Sequence, residues 1–520
     1  MRGKINLYLA LLIFIIAFGF CLRVYRLSEI PSGFFADEAS IGYNAYTILT
    51  KGVDEHDNQY PLFFKAFGEY KSPVQIYSTV PSIALLGLNE FSVRLTSVIY
   101  GVLSIFVIYL LTKELFKNYR HKEWIGIFSS LFLAISPWHT HFSRIAFEMM
   151  PFVFFTTLAT YIFLKSQTKP QLLPLSTAIF TIALYSYYPA RIFIPLFGLG
   201  IFFIYLKCFL NRKKVVFASL ILLIILLGPL IRHMQSPSGF SRWNQVNIFS
   251  KPPKDESITK RILDNYLSHF SLDFLFLKGD IDMPGQFITR HSAREMGELY
   301  LFQLPLIIVG FWFLFLKREK RMLTLLILWF ILYPTGSMFT ADKSAQATRS
   351  IIGVIPFQVL SAVGLYYLLI LFSKFKKSVN YLSILSIFII FASFLHYLNL
   401  YFAKYPLYSS DYLGWQYGYQ EVINYFSKNQ KKFDELLITH RYNYGEELLK
   451  FYNVKYNCIK CVVMSNPINV DLNKKQIFAL RPEDIDEAKK LYKNLNFVVS
   501  NSIFLPNNIP EIYIGKFVEK

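Results

Sequence analysis

Two adjacent carboxylates, Asp37 and Glu38, stand in Phe34-Phe35-Ala36-Asp37-Glu38-Ala39, just beyond the first long apolar run of the chain. A carboxylate at the mouth of a low-dielectric cavity is suited to accept a proton or to align a hydroxyl nucleophile. The bland reading of the same pair is an acid capping the short helix that follows. Further along, Gly68-Glu69-Tyr70-Lys71-Ser72-Pro73 adds another carboxylate and a cation. Arginines recur beside similar polar stretches. Arg144 ends the turn that begins at Ser136 and is followed by Glu148, Arg191 closes Tyr185-Ser186-Tyr187-Tyr188-Pro189-Ala190-Arg191, and Arg349 follows Ser344-Ala345-Gln346-Ala347-Thr348. The guanidinium fork matches phosphate oxygens and stays charged, although each arginine alone is equally well explained by snorkelling to lipid headgroups. Taken together, these cations and carboxylates on one face make a phosphate-handling pocket the better reading.

A membrane must position these groups. At 520 residues, 54% hydrophobic and 18% aromatic, the chain carries more apolar surface than soluble cores absorb. The net charge of +20 sits in short Lys/Arg clusters between apolar runs, where anionic headgroups meet them, so nucleic acid is the weaker partner. Runs long enough to cross a ~30 Å hydrocarbon layer fall near residues 5–24, 92–112, 124–141, 147–164, 172–188, 191–207, 215–232, 299–316, 322–339, 350–372 and 380–402. That predicts about eleven spans. With the N-terminus cytoplasmic, the inner loops Lys113 to Lys122, Lys165 to Lys169, Lys207 to Lys214, Lys317 to Arg321 and Lys374 to Lys377 are all short and basic, as the positive-inside rule requires.

The same parity puts the loops 23–90 and 232–298, the turns around His139 to Phe147 and Tyr185 to Arg191, and the segment Thr340 to Arg349 on the outer face. Ser40 to Leu49 is expected as an amphipathic interfacial helix anchored by Tyr43 and Tyr46. Val74 to Leu88 is laid in the interface, because counting it as a span would reverse every later loop. Residues 1–403 form the membrane domain. Residues 404–520 are less apolar, with strand-like Leu436-Leu437-Ile438-Thr439 and Gln476-Ile477-Phe478-Ala479-Leu480, and a helix opened by Arg481-Pro482-Glu483-Asp484. They are expected to make a small extracytoplasmic α/β domain.

Several alternatives lose ground on the same residues. No phosphate loop or dinucleotide fingerprint is present, and the spans hold almost no central ionisable residues, which disfavours an ion-coupled transporter. A lipid-linked glycan flippase remains the competing class. His139-x-His141 lacks an evident third ligand and reads as interfacial. Cys458-x-x-Cys461 reads as a local disulfide or free thiols, and His291 to Glu298 as a lid, an acceptor-binding element or a plain solvated loop. No cofactor is called for with certainty, and a divalent metal is left open.

The acidic pair after the first span, the Glu and Lys followed by Pro before the next membrane segment, and the Arg-bearing outer turn resemble the C-type (GT-C) membrane glycosyltransferases. Within them the likeness is to glycosyltransferase family 39, the protein O-mannosyltransferase and aminoarabinose transferase superfamily. The resemblance implies a polytopic α-helical enzyme of the cytoplasmic membrane, transferring a hexosyl or pentosyl unit with inversion. The donor would be a polyprenyl-phosphate sugar, and the acceptor a hydroxyl of a protein, lipid or cell-wall glycan. It makes Asp37 the base or orienting carboxylate with Glu38 in support, Glu69 a second acid of the site, and Lys71 a neighbour of the carrier phosphate. The family's contiguous Glu-Lys-Pro-Pro is interrupted here by Tyr70 and Ser72. Arg144, Arg191 and Arg349 are phosphate ligands only by the charge argument.

Overall fold

A computed structural model describes residues 2–280, 290–317, 320–342, 344–372 and 376–520. The basic loops read over 317–321 and 374–377, and the stretch 281–289 of the second outer loop, lie partly or wholly outside the described residues. The chain opens with α1 (Arg2–Val24), α2 (Ala36–Lys51), α3 (Pro73–Leu86), α4 (Glu90–Leu115), α5 (Lys122–Ile135), α6 (Pro137–Phe142), α7 (Met149–Ser166), α8 (Leu173–Leu184) and α9 (Ala190–Ile204). Further apolar helices span Lys213–Gln235, Gln303–Leu316, Lys320–Leu332, Val354–Phe372 and Lys376–Asn399.

Every apolar run read from the sequence contains a helix, but several are shorter than the run. Among the described residues, 6 helices are long and apolar enough to cross a membrane, and Pro170–Leu184, Ala190–Ile204 and Gln303–Leu316 are shorter apolar helices. Proline and capping explain the truncation. The run at 124–141 breaks at Ser136, whose hydroxyl caps α6 while Pro137 takes its first position. The run at 322–339 ends in a 3-10 turn at Tyr333–Gly336, which contains Pro334.

α2 departs from its expected form in two ways. It begins at Ala36, so Asp37 and Glu38 occupy its first turn, where the helix dipole favours acids. It is also enclosed rather than lying with one face on a membrane surface. Ile41 and Ala45 are wholly buried, and the helix packs against α3 and against the C-terminal helix Gly445–Tyr456. Gly42 permits that approach: a Cβ there would come within 2.7 Å of Val93 and 2.8 Å of Phe451.

Between α2 and α3 runs a hairpin of β1 (Phe64–Ala66) and β2 (Glu69–Lys71). The C-terminal part holds β3 (Glu435–Ile438), β4 (Cys461–Val463), β5 (Gln476–Leu480), β6 (Leu495–Phe504) and β7 (Pro510–Glu519), in sheet order β4-β3-β5-β7-β6. β3 is parallel to β4 and β5, whereas β7 is antiparallel to β5 and β6. Both strand-like segments read from the sequence fall in this sheet, and the helix Pro482–Leu491 opens at the Arg481-Pro482-Glu483-Asp484 signal. Cys458 and Cys461 are disulfide-bonded, and Cys21 and Cys208 are free.

One apolar core joins helices from both halves of the chain. A second is shared between the first loop and the C-terminal part: Phe34, Ala39, Ile41 and Phe64 pack in one cluster with Val422, Leu448, Phe451 and Ile477.

Candidate functional site

Asp37 and Glu38 are neighbours on α2 but face different surroundings, since successive helical positions diverge by about 100°. Glu38 is fully buried. Its Oε1 accepts from Arg94 Nε at 2.9 Å and from the Ala146 amide at 2.9 Å, and its Oε2 accepts from Arg94 Nη2 at 2.9 Å and the Phe35 amide at 3.4 Å. Arg94 uses its remaining N–H groups on the carbonyls of Leu27 and Pro31, both at 3.0 Å, and Gly33 at 2.6 Å. A buried pair with every donor and acceptor met fixes the path of the loop. Glu38 therefore supports its neighbour by position and does not itself reach the cavity.

Asp37 instead turns toward open space, its side chain 34% exposed, and is ion-paired with Lys71, which is 3% exposed. Lys71 and Glu69 come from β2, where residues two apart share a face. The Tyr70 that interrupts the family's contiguous motif is thus what lets both side chains point the same way. Glu69 Oε2 pairs with Arg242 Nη1 at 2.9 Å. Glu148, in the turn ahead of α7, accepts the Ser72 amide on Oε1 at 2.5 Å.

The charges respond to this packing. Burial works against the ionised form of Asp37, but the Lys71 ammonium, with Arg290 and Arg242, overcomes it and holds the carboxyl below its usual range. Burial opposes the Lys71 charge too, and the Asp37, Glu148 and Glu69 carboxylates more than restore it. Burial raises Glu69 despite Arg242 and Lys71. Glu148 is pushed up to about 7 by burial, against the pull of Lys71.

These groups edge a cavity of about 710 Å³ whose lining includes Asp37, Glu69, Lys71 and Glu148 together with Arg191, Arg242, Arg290 and Arg349. Arg191 lies over the Tyr188 ring at 3.9 Å, and its Nε and Nη2 have no hydrogen-bond partner. Arg349 Nη1 lies 3.2 Å from Asp342 Oδ2. Arg290 donates to the Leu413 carbonyl at 2.7 Å and stacks on Phe35 at 3.8 Å. Guanidinium groups converging on a partly apolar cavity, with N–H donors left unpartnered, suit an anion such as a phosphate.

Of the residues singled out in the sequence, Asp37, Glu69, Lys71, Arg191 and Arg349 meet here. Arg144 does not. Its guanidinium is buried at the end of α1, donating to the carbonyls of Leu22 at 2.9 Å, Arg23 at 2.8 Å and Ile30 at 2.8 Å; it staples the chain leaving α1. His139 and His141 are enclosed rather than interfacial. His139 Nδ1 lies 2.8 Å from Arg23 Nη2, and His141 Nε2 lies 2.8 Å from the Arg290 carbonyl. The end of the His291 to Glu298 segment is not a solvated loop: Glu298 is buried, and its amide donates to the Phe274 carbonyl at 3.2 Å. His291, at the other end, lines the cavity. Arg242 and Arg290 escaped the sequence reading because they sit in a long loop with no motif; its shared side with Asp37 was the one signal. Among the described residues, no three His, Cys, Asp or Glu side chains come together to hold a metal ion.

Residues 70–231 match the family described as dolichyl-phosphate-mannose-protein mannosyltransferase. No curated protein sequence matches the chain. Among solved structures, the chain is similar to ArnT from Cupriavidus metallidurans bound to undecaprenyl phosphate: 11% identity, TM-score 0.59, covering 99% of this chain and 98% of that one. It is also similar to the Archaeoglobus fulgidus oligosaccharyltransferase in complex with Zn and sulfate, at 14% identity and TM-score 0.53, covering 96% and 72% of the two chains. Over nearly its whole length the chain has the fold of these GT-C membrane enzymes. The resemblance read from the acidic pair and the Glu-x-Lys segment points to the same fold.

Proposed function

We propose that the protein transfers a sugar, with inversion, from a polyprenyl-phosphate donor to an acceptor hydroxyl on the outer face of the membrane. One observation carries this reading: the carboxylate of Asp37 and Arg191, whose Nε and Nη2 have no hydrogen-bond partner, line one cavity. A sugar on a lipid phosphate already has a good leaving group, so the protein must supply a base, alignment and a cationic berth for the departing charge.

Asp37, kept ionised by Lys71, takes the acceptor proton as the acceptor oxygen bonds to the anomeric carbon. The bond from that carbon to the phosphate oxygen breaks with its electron pair, and the lipid phosphate leaves bearing the charge. Arg191 and Arg349 meet that charge, with Lys71 at the same wall. Displacement from the face opposite the leaving group inverts the anomeric centre. Glu69 orients Arg242, and Glu38 holds the turn that presents Asp37.

The reading further takes residues 1–403 as a membrane domain of eleven spans with a cytoplasmic N-terminus, supported by the short basic loops of one parity, and residues 404–520 as an extracytoplasmic domain. The ArnT structure bound to undecaprenyl phosphate supports a polyprenyl-phosphate donor. Purified protein in detergent, offered polyprenyl-phosphate sugars with candidate acceptors, should release polyprenyl phosphate, and Asp37→Asn should abolish the release while still binding the lipid. Turnover undiminished in Asp37→Asn would remove Asp37 from the base role.

A further inference from the structure

The lipid donor accounts for the arginine-lined cavity but leaves the acceptor's approach to Asp37 unexplained. Just outside the cavity, two aromatic residues from distant parts of the chain meet. Phe67, in the turn between β1 and β2, and Tyr444, ahead of the C-terminal helix Gly445–Tyr456, lie with ring centroids 4.2 Å apart. Both are in the left-handed backbone region, with φ of 56° and 54°. Side chains other than glycine adopt it at a cost that surrounding structure must hold in place, and such residues cluster at ligand-contacting sites.

The surroundings here do hold it. Gln416, 1% exposed, accepts the Ala36 amide on Oε1 at 2.9 Å and donates from Nε2 to the Asn443 carbonyl at 2.8 Å. One side chain thus ties the residue before Asp37 to the residue before Tyr444. The Tyr442 hydroxyl donates to the Tyr417 carbonyl at 2.9 Å, and the Tyr419 hydroxyl to the Gly445 carbonyl at 2.7 Å. After this bracing Tyr444 is still 46% exposed. A large aromatic side chain held in place, left open and linked to the base through Phe67 and Lys71 is poised for a ligand rather than for the core.

The neighbours define what that ligand is. The Lys71 ammonium sits 4.8 Å from the Phe67 ring, Gln245 Nε2 donates to the Gly68 carbonyl at 3.2 Å, and Glu69 follows in the chain. Burial, and then the charges of Glu69 and Asp37, push the Tyr444 phenol up. The open Tyr444 ring, backed by Phe67 and with a carboxylate, an amide and a cation close by, fits a ligand with one C–H-rich face and a rim of hydroxyls. A pyranose ring has that shape, its C–H groups packing on the electron-rich ring faces.

The geometry points to Phe67 and Tyr444 as the binding platform for a sugar acceptor, so that the C-terminal part of the chain selects what Asp37 deprotonates. This rests on the transferase reading above, and the test separates the two. Full-length protein in detergent is titrated with methyl glycosides of mannose, glucose, galactose and N-acetylglucosamine, followed by saturation-transfer NMR, and in parallel with polyprenyl phosphate. At least one glycoside should bind the wild type, and Tyr444→Ala should weaken it about tenfold, the loss of roughly 1.4 kcal/mol of ring contact. Tyr444→Phe should keep most of the affinity, and Phe67→Ala should behave as Tyr444→Ala does. Polyprenyl-phosphate affinity and the unfolding midpoint report that each variant is folded. Glycoside binding indifferent to Tyr444→Ala, no glycoside binding to a wild type that takes up polyprenyl phosphate, or Tyr444-dependent binding of a Ser/Thr peptide instead would each overturn the sugar platform. Failure of the wild type to bind polyprenyl phosphate would instead sink the donor assignment.

Discussion

Lys71 and Asp37 form an ion pair across two elements, the end of β2 and the first turn of α2, with the lysine 3% and the aspartate 34% exposed. The buried cation thereby sets the charge of a carboxylate that opens on the cavity.

That pairing fixes a pH dependence. Asp37 acts as a base only when ionised, and its pKa is held below the usual carboxylate range chiefly by Lys71 working against burial. Activity should therefore fall on the acid side only as pH drops through this lowered value. In Lys71→Met the pull is gone and burial remains, so the acid limb of the pH–rate profile should move to higher pH. A limb at the wild-type position would show that another group sets it.

Arg191 and Arg144 should part company. Charge-assisted hydrogen bonds contribute about 1.5–3 kcal/mol, so Arg191→Ala should weaken polyprenyl-phosphate binding about tenfold or more with little change in melting temperature. Arg144→Ala removes donors from the carbonyls of Leu22, Arg23, Arg26 and Ile30 at and beyond the end of α1 and should lower the melting temperature without a selective loss of lipid affinity. Lipid-binding titrations with thermal unfolding distinguish them, and an unchanged affinity for Arg191→Ala would strike it from the site.

Glu148 supplies a stability signature. Its pKa is raised to about 7, so between about pH 4.5 and 7 the folded state binds more protons than the unfolded state, and stability from this group declines as pH rises through that window. Glu148→Gln keeps an acceptor for the Ser72 amide without the titration. Its melting temperature relative to wild type should therefore climb between about pH 5 and 8. A flat difference would place the titration elsewhere.

Glu38→Ala should be a folding variant before it is a catalytic one. It leaves Arg94 charged and buried without its carboxylate, a loss of about 3–5 kcal/mol. A large drop in unfolding midpoint is expected, and a normal midpoint with lost turnover would instead give Glu38 a direct chemical part.

Much of this is legible in the amino-acid sequence. The apolar runs, the strands at Leu436 and Gln476 and the helix opening at Arg481 follow from local patterns, and Asp37, Glu69, Lys71, Arg191 and Arg349 are all marked by residue type and by the parity of the basic loops. Arg144 was misplaced because a sequence gives an arginine's depth but not the carbonyls that curl around it. Arg242, Arg290 and Gln416 were invisible for the converse reason: their partners lie far off in the chain, 380 residues away for the Gln416 contact to Ala36. Local pattern makes α2 look like a surface helix because part of its cover arrives from Leu448 and Phe451, far along the chain.

That distance matters for biogenesis. The turn bearing Asp37 leans on Gln416 and on the helix Gly445–Tyr456, so a nascent chain halted before residue 416 holds a complete acid pair and an unfinished support for it. On the transferase reading, a truncation there should cost activity although Asp37 and Glu38 are both present.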